Sequence, residues 1–472
     1  MRANWRRPLI HALLRVTGSP VPSALDDARR AAALAPEALR ALQEERLVQL
    51  LQHAWKHTDY YRRVLEEAGV VRAGAVDLAC YDRLPLLTKE VLRSEAAALR
   101  ARALPDSRKP FVNRTGGSTG QPCEFWQDST YDAVNTADKL HHFELFGKQI
   151  GEAELKIWGA QRDLVRDTGS TAARIKNFLY HRNVASCATL SSESIREIVE
   201  RINRIRPRLI WSYVDGAFAI ARYAEQHGLA IHAPAAVFCG GGTFLPPMRT
   251  AIEKAFGCPA VNFYGSREMG VVAGQCAEGQ GLHITSHSHV VEVLDEAGRA
   301  VLDRDGDLVL TSLANYAMPF LRYQIGDRGR LASKPCACGS PFPVLESVSG
   351  RSMESLLRAD GSLVSPIYLI TLLGGTLGSG PVERFQIVQE AIDRVTLKLV
   401  IDGSFAEERV SADVALVQQK LADAMGAGCQ VTTERVAEIP RQPSGKYLYT
   451  VCNVSPMAPS LEGLRAAGEG GS

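Results

Sequence analysis

Short segments rich in glycine, hydroxyl and charged side chains are the parts of this sequence best suited to chemistry. One of them follows an apolar segment and reads Asn113-Arg114-Thr115-Gly116-Gly117-Ser118-Thr119-Gly120. Glycines let successive backbone N–H groups converge on an anion, and the hydroxyls add donors for phosphate oxygens. The loop lacks the GK[ST] ending of a Walker loop. Alone, it is as compatible with a flexible turn as with a phosphate cradle.

A second segment follows the strand-like run AVNFY and reads Phe263-Tyr264-Gly265-Ser266-Arg267-Glu268. An aromatic ring at a strand end can stack on a base, and a carboxylate beyond a tight glycine turn can hold Mg2+ through oxygen. The plainer interpretation is a buried tyrosine followed by a solvated glutamate.

Two further loops carry one charged group each. In the run FLRYQIGD, Asp327 follows a turn glycine, and its carboxylate could accept hydrogen bonds from two ribose hydroxyls. In the run PRQPSGK, Lys446 could offset negative charge that develops on a phosphate and a carboxylate in a transition state. Alone, the first loop is more often a plain turn, and such a lysine is more often a solvated surface charge.

Three cysteines and one histidine form a separate set, namely Cys276, His283, Cys336 and Cys338. Three thiolates and an imidazole suit a closed tetrahedral Zn2+ site with a structural role. His287 and His289 are alternatives for the fourth ligand. The C-x-C spacing is tighter than the usual C-x2-C, so spacing alone leaves free thiols equally open. No basic cluster surrounds these cysteines, which argues against a zinc ribbon that binds nucleic acid.

The elements that must position these residues belong to a chain of ordinary globular composition. At 472 residues, the length suggests two or three folded units. Lys and Arg number 54 against 52 Asp and Glu, and a net charge of +2 implies neither nucleic acid nor an acidic membrane as partner. The ten cysteines are too dispersed for a dense disulfide framework.

The beginning of the sequence, MRANWRRPLIHALLRVTG, is basic and then apolar like a signal peptide. His11 and Arg15 interrupt the apolar run, however, and no cleavage site follows. We interpret it as an amphipathic or frayed N-terminus. No run reaches the roughly 18 uninterrupted apolar residues that span a bilayer. The sequence therefore predicts no transmembrane segment, and a cytoplasmic location.

Periodicity predicts an α/β fold. Residues 36–65 have helical spacing, and Thr88 is suited to cap another helix. Between residues 111 and 350, strand-like runs such as LKIWGA, LIWSY and AAVFCG alternate with helix-like runs such as SSESIREIVERINRI. This alternation predicts sheets covered by helices. After residue 351 a smaller α+β pattern begins.

Taken in order, the motifs TGGSTG, YGSRE, RYQIGD, Gly350-Arg351 and PRQPSGK resemble the core motifs of the adenylate-forming (ANL) superfamily. The runs LPLLTKEVLR, GGGTFLPP and C-x-C-G look specifically like the phenylacetate:CoA ligase family and its CapK-like branch. The resemblance covers about residues 50–452. It implies a large N-terminal domain over 1–350 with ATP and acyl sites, and a small mobile α+β C-terminal domain over 351–457. The Gly- and Ala-rich composition of residues 458–472 predicts a disordered tail.

The resemblance also implies roles for individual residues. The loop from Thr115 to Gly120 would hold the β- and γ-phosphates of ATP, and Gly241 of the GGGTFLPP run would border the nucleotide. Glu268 would bind Mg2+, and Lys446 would promote adenylation. The remaining nucleotide contacts would come from the adenine-stacking Tyr264, Gly265, Ser266 in the place usually taken by Thr, the ribose-binding Asp327, and Arg351 at the ribose or phosphates. Similar cysteines in the family favour the zinc site.

The acceptor of the acyl group stays open. The resemblance implies a small carboxylic acid as substrate and CoA as acceptor, but where the family hinge reads GR-x-D-D, Gly350-Arg351-Ser352 is followed here by Met353-Glu354. The departure puts acyl transfer in more doubt than adenylation. An amine or a carrier protein is the alternative acceptor, and a catalytically silent scaffold is a second alternative. A homodimer is also compatible with the sequence.

An aromatic or medium-length acyl group is expected from the aromatic residues of the segments that wall the acid in relatives. Most of these residues are expected in the core, since aromatic rings more often pack than bind. They are Trp126, Tyr131, His141, His142, Phe143, Trp158, Trp211, Tyr213 and Phe218.

Overall fold

The computed structural model describes residues 4–114, 124–158, 169–187, 192–242, 244–279, 281–351, 356–359, 363–364, 369, 373, 381–426, 428–440 and 448–454. The chain divides into two compact units, the first ending at Gly350 and the second beginning at Arg351. Each unit contains its own main sheet.

Helices come first in the chain. They are α1 (Arg6–Val16), α2 (Val21–Ala32), α3 (Pro36–His57), α4 (Asp59–Glu67), α5 (Lys89–Ser94) and α6 (Ala96–Leu99), with a 3-10 helix over Leu78–Arg83. The helical pattern of residues 36–65 is interrupted at Thr58, whose extended backbone ends α3 and whose hydroxyl accepts from the Tyr61 N–H to begin α4. Thr88 caps α5 as predicted, because its hydroxyl accepts from the Val91 N–H.

The strands of the first unit follow, and most of them join one large sheet. They are β1 (Val71–Arg72), β2 (Ala75–Val76), β3 (Pro110–Arg114), β4 (Glu124–Asp128), β5 (Glu154–Trp158), β6 (Arg182–Ser186), β7 (Leu209–Tyr213), β8 (Ala236–Gly240), β9 (Ala260–Ser266), β10 (Gly270–Gly274), β11 (Leu282–Ile284), β12 (His289–Leu294), β13 (Asp305–Ser312), β14 (Tyr323–Leu331) and β15 (Val344–Arg351).

The large sheet has eleven strands in the order β12-β13-β14-β15-β11-β10-β9-β8-β7-β5-β6. From β6 to β9 the neighbours are parallel. At β9 the pattern changes, and β9, β10, β11 and β15 pair antiparallel in succession. Strands β3 and β4 form a separate antiparallel hairpin. The carboxyl ends of the parallel strands, where α/β folds bind ligands, therefore lie beside the change of direction at β9.

Helices cover both faces of the parallel part. Phe143 of α7 packs on Phe238 of β8. Gly216 of α10 approaches Ser212 of β7, and Ser212 points to the opposite face from Trp211 because side chains alternate along a strand. The helices of this region are α7 (Ser129–Leu145), α8 (Thr171–Tyr180), α9 (Ser192–Ile205), α10 (Val214–Gln226) and α11 (Pro246–Phe256).

The second unit is smaller and contains a sheet of four strands in the order β20-β19-β18-β21. Ile387, Leu397 and Leu399 of this sheet are fully buried, as is Leu421 of its helix. Its elements are β16 (Leu356–Leu357), β17 (Leu363–Val364), β18 (Val382–Ala391), β19 (Arg394–Ile401), α12 (Glu407–Met425), β20 (Gln430–Arg435) and β21 (Thr450–Cys452).

The predicted fold class is confirmed: a large α/β part with a covered sheet precedes a small α+β part. Among the described residues, no helix is both long and apolar enough to cross a lipid bilayer. The tail predicted over 458–472 lies outside the described residues.

Candidate active site

A tight turn at the end of β9 presents Glu268. A Cβ at Gly265 would overlap the Gly270 carbonyl oxygen, so only glycine permits this close approach of β9 and β10. The Ser266 hydroxyl accepts from the Met269 N–H at 3.1 Å and closes the turn. Gly270 has a φ of +71°, a conformation that favours glycine. The spacing of these small residues thus fixes where the glutamate lies.

Side chains from β4 and α7 hold the same turn from outside. The Gln127 amide donates to the Arg267 and Glu268 carbonyl oxygens at 2.9 and 3.2 Å, and the Tyr131 hydroxyl donates to the latter at 3.2 Å. Gln127 also accepts from the Asn113 amide at 3.0 Å. Because Asn113 and Gln127 belong to the β3–β4 hairpin that flanks residues 115–123, the hairpin and the Glu268 turn are joined directly.

The Glu268 side chain is only 6% exposed. Within the described part of the chain its carboxylate has no hydrogen-bond or ion-pair partner. Its charge raises the pKa of the neighbouring Tyr131 phenol, although burial of the phenol is the larger cause. A nearly buried carboxylate without a protein cation has the character of a site for a hard metal ion.

Tyr264 and Asp327 meet although 63 positions separate them in sequence. The Tyr264 hydroxyl donates to the Asp327 carboxylate at 2.8 Å. Their strands β9 and β14 lie four positions apart in the sheet, which would be about 19 Å in a flat sheet. A tyrosine and an aspartate cannot span that gap, so the sheet is not flat here, and it brings two predicted nucleotide contacts together.

Gly241 lies at the end of β8 against the ring of Tyr213. It has a φ of +73°, and a Cβ there would overlap that ring. Tyr213 stacks on Trp158, with ring centroids 4.1 Å apart. Both rings stand at the carboxyl ends of parallel strands, β7 and β5. Gly241 therefore allows the chain to pass close to the stacked rings of Trp158 and Tyr213 at the carboxyl ends of the parallel strands; we call these rings the aromatic wall.

Other predicted aromatic residues extend this wall into the core. Trp211 lies 4.9 Å from Trp158, Phe143 packs on Phe238, and His142 packs on Phe263. Three predicted residues lie elsewhere: Trp126 stacks with the Arg100 guanidinium, Tyr131 holds the Glu268 turn, and Phe218 is on the helix of the opposite sheet face.

Two lysines at the aromatic wall were missed by sequence reasoning. The Lys139 ammonium is 5.0 Å from the Trp211 ring, and the Lys156 ammonium is 4.7 Å from the Trp158 ring. Burial, and then the charge of Arg182, lower the pKa of Lys139 to about 7. The charge inside the apolar strand ELKIW was a usable signal for Lys156, whereas a lysine on an amphipathic helix is ordinarily solvated.

His287 and His289 belong to a buried polar network and not to the cysteine set, which corrects their place as alternative zinc ligands. The His287 Nε2–H donates to the Asp138 carboxylate at 2.8 Å. The His289 Nε2–H donates to the Met269 carbonyl at 2.7 Å. Burial works to raise the pKa of Asp138, but the charge and hydrogen bond of His287 outweigh it and lower this pKa. The network fixes α7 to the turn that follows Glu268.

The four predicted zinc ligands come together. Ligand atoms of Cys276, His283, Cys336 and Cys338 all lie within 4.8 Å of one another. Around a tetrahedral zinc, ligand sulfurs lie about 3.8 Å apart and a sulfur lies about 3.5 Å from a nitrogen. The Sγ atoms of Cys276 and Cys336 are 3.8 Å apart, and the Cys338 Sγ is 3.4 Å from the His283 Nε2. The donor set therefore fits the ion.

The surroundings of His283 fit the same purpose. Its Nδ1 is 3.4 Å from the Phe342 carbonyl oxygen, which places the proton on Nδ1 and leaves Nε2 free to bind a metal. His283 lies on β11, and the three cysteines lie in the segments after β10 and before β15. A metal ion bound here would link β11 to the segments next to its neighbouring strands β10 and β15.

Several predicted site residues lie outside the described residues: Thr115, Gly116, Gly117, Ser118, Thr119, Gly120 and Lys446. The same holds for the Arg351 side chain, although the backbone of that residue ends β15.

Comparison with known proteins identifies relatives of the chain. The family model described as the CapK C-terminal domain matches residues 356–453. Protein CapK of Staphylococcus aureus is 24% identical over 416 residues, 88% of this chain and 89% of the relative. Phenylacetate-coenzyme A ligase of Thermus thermophilus is 26% identical over 440 residues, 87% of this chain and 95% of the relative. The chain is a homologue of CapK and of the phenylacetate-coenzyme A ligases.

The fold of this homologue is also found among solved structures. A crystal structure of 2-hydroxyisobutyryl-CoA ligase in the postadenylation state, in complex with 2-HIB-AMP, aligns with a TM-score of 0.73 at 20% identity. The alignment covers 93% of each chain. The predicted resemblance to the adenylate-forming superfamily, and to its phenylacetate:CoA ligase and CapK-like branch, is confirmed.

We expect His142, buried on α7, to make the stability of the first unit depend on pH. Burial, and then the charge of His141, lower the pKa of His142 to about 3. As pH falls below the unfolded value of about 6.5, the unfolded chain binds a proton that the folded chain does not. We expect this residue to remove about 1.4 kcal/mol of stability per pH unit from pH 6.5 down to pH 5.

Chemical denaturation followed by tryptophan fluorescence measures this slope, since all five tryptophans precede residue 350. The variant His142→Leu should have a shallower slope than the wild type, whatever its absolute stability. The exposed His227 serves as control, and His227→Leu should keep the wild-type slope. Equal slopes in all three proteins would contradict the assignment.

Proposed function

We propose that the chain activates a small carboxylic acid with ATP, forms an acyl-adenylate with release of pyrophosphate, and transfers the acyl group to CoA. The observation that carries the proposal is that three predicted ATP contacts, Tyr264, Glu268 and Asp327, are held by hydrogen bonds within the first unit. The Glu268 turn is bonded to the hairpin of the glycine-rich loop, and Tyr264 is bonded to Asp327. A plain scaffold has no need of this set.

The chemistry follows from these positions. The substrate carboxylate attacks the α-phosphate in line, and pyrophosphate leaves. Asp327 would hold the ribose and Tyr264 the adenine, so that the α-phosphate meets the acid in one orientation. Mg2+ would neutralise phosphate charge when bound, and Glu268 is the residue that would hold it. Lys446 would offset the charge that develops as the carboxylate attacks.

The aromatic wall supports an aromatic or medium-length acyl group. Trp158, Trp211 and Tyr213 present apolar surface at the carboxyl ends of β5 and β7, next to Gly241. Lys156, and below about pH 7 also Lys139, place positive charge at these rings, which attracts an anionic substrate before it binds. The relative from Thermus thermophilus is named for phenylacetate, an aromatic acid of this kind.

An amine or a carrier protein is the second candidate acceptor. The match of residues 356–453 to the CapK C-terminal domain keeps this alternative open, because CapK, unlike the phenylacetate-coenzyme A ligases, is not named for CoA. The replaced hinge residues Met353 and Glu354 favour it. Mass spectrometry of the product formed from the acid and ATP, with CoA or with amines added, distinguishes the two acceptors. Because ATP and CoA are intracellular, we propose that the enzyme works in the cytoplasm.

We also propose a structural zinc ion held by Cys276, His283, Cys336 and Cys338. The sulfur and nitrogen distances and the free His283 Nε2 support it. The ion would take no part in catalysis, since four protein ligands close the tetrahedron.

The glutamate variant tests the first half-reaction. Glu268→Gln keeps the size of the side chain but removes the charge, so we expect Mg2+-dependent, acid-dependent ATP–pyrophosphate exchange to fall by roughly 10²–10³. The exposed Glu296 provides a matched control, and Glu296→Gln should exchange at the wild-type rate. Near-normal exchange by Glu268→Gln would refute its role.

The lysine variant separates the two half-reactions. Lys446→Ala should reduce adenylate formation by roughly 10²–10³, because the ammonium acts in the transition state of that step. Supplied with synthetic acyl-adenylate, the same variant should transfer the acyl group at close to the wild-type rate. Equal losses in both steps, or no loss in either, would contradict the assignment of Lys446.

Elemental analysis tests the zinc ion. We expect about one zinc per chain in the wild type and a loss of most of it in Cys336→Ala, because three ligands hold the ion far less well. Cys429→Ala, in the second unit, should keep the full content. Absence of zinc from the wild type, or unchanged content in Cys336→Ala, would overturn the site.

A further inference from the structure

Helix α1 has two apolar faces, and only one of them is buried. Ile10 and Leu14 point into a core cluster with α2 and α7. The other face carries four large apolar side chains that are between 41% and 86% exposed. Their spacing of four, four and three positions places them in one stripe along the helix. They are Trp5, Leu9, Leu13 and Val16.

Helix α8 extends this exposed surface. Its Ile175 and Phe178 are 56% and 64% exposed. The Arg6 guanidinium lies 4.6 Å from the Trp5 ring and 5.4 Å from the Phe178 ring, so the two rings flank the same cation. The stripe of α1 and the exposed side chains of α8 therefore form one patch, which we call the α1–α8 surface.

The charged side chains of α1 and α8 are all basic. Residues 4–25 and 169–181 contain no aspartate or glutamate. Arg6 and Arg7 donate to neutral oxygens, the Phe178 carbonyl and the Gln149 side chain. Partial burial, and then the charges of Arg7, Arg15 and Arg29, lower the pKa of His11. No cation of the surface forms an ion pair within the described part of the chain; these cations are Arg6, Arg7, Arg15, Arg174 and Lys176.

An exposed apolar stripe flanked by unpaired cations matches a membrane surface with anionic headgroups. Apolar side chains enter the boundary between headgroups and acyl chains, tryptophan prefers this depth, and arginines reach the phosphates. A second copy of the chain matches poorly, because a symmetric contact would set the five cations against themselves. At 11 residues α1 is also too short to span a bilayer.

We propose that the α1–α8 surface docks the protein onto an anionic lipid membrane. The net charge of +2 does not indicate this basic surface, because the carboxylates that balance its charge lie elsewhere in the chain. The inference is independent of the proposed activity, since none of its residues belongs to the candidate active site.

Vesicle co-sedimentation with the full chain tests the proposal. The probes are vesicles of phosphatidylcholine alone and vesicles of equal parts phosphatidylcholine and phosphatidylglycerol. We expect binding to the anionic vesicles, weaker binding at high salt, and at least about tenfold weaker binding to the neutral vesicles. No binding to the anionic vesicles, or equal binding to both kinds, would overturn the proposal.

Variants separate the apolar and charged contributions. The triple variant Leu9→Gln, Leu13→Gln, Val16→Gln and the double variant Arg7→Glu, Arg15→Glu should each bind at least about tenfold more weakly. Because these side chains are exposed, thermal melting should match the wild type. The control Leu302→Gln, Leu416→Gln alters exposed leucines elsewhere and should bind like the wild type.

Velocity sedimentation without lipid tests whether a second copy of the chain binds to the α1–α8 surface instead. We expect the same sedimentation coefficient for the wild type and the triple variant. An oligomer that the triple variant dissociates would overturn the proposal and assign the surface to protein contact.

Discussion

The Gln127 side chain is the contact on which the order of the candidate active site depends. An amide has one acceptor oxygen and two donor hydrogens, and this one uses all three groups: it accepts from Asn113 and donates to the carbonyls of Arg267 and Glu268. A buried carbonyl left without a partner costs about 1–3 kcal/mol. The β3–β4 hairpin and the Glu268 turn therefore share the Gln127 side chain as a common support.

Glycine positions and aromatic packing also fix the positions of site residues on the neighbouring strands. Gly265 and Gly241 occur where a side chain would overlap, respectively, a backbone carbonyl and the Tyr213 ring. Tyr264 lies on β9, where the pairing changes from parallel to antiparallel, and is therefore close to the carboxyl ends of the parallel strands. Rigid strands hold the groups proposed to bind the nucleotide, which keeps reacting atoms within small tolerances. The cysteine and histidine side chains proposed as zinc ligands lie at a different place, beside β10, β11 and β15.

Much of this arrangement could be predicted from the sequence, because the signals are local. The strand-like runs of β5, β7, β8 and β9, the Thr88 cap and the α/β order depend on periodicity and hydrogen bonds between near neighbours. The break at Thr58 was missed, although its N-cap chemistry was present. Contacts between distant positions, such as that of Tyr264 with Asp327, could not be predicted in this way. Lys139 was missed because a solvated lysine on an amphipathic helix has the same local pattern, whereas Lys156 was missed although it lies inside the apolar strand ELKIW.

The hydrogen bond between Tyr264 and Asp327 has a consequence for how substitutions at the site combine. Under the proposed roles, one residue recognises the base and the other the sugar, yet a single proton links them. Removing either side chain also removes a support of the other. The energetic losses from the two changes should therefore not add, and a double-mutant cycle on this pair should give a coupling energy of about 0.5–3 kcal/mol. Natural selection would therefore act on base recognition and sugar recognition together, because a substitution at Tyr264 or at Asp327 weakens both contacts with the nucleotide.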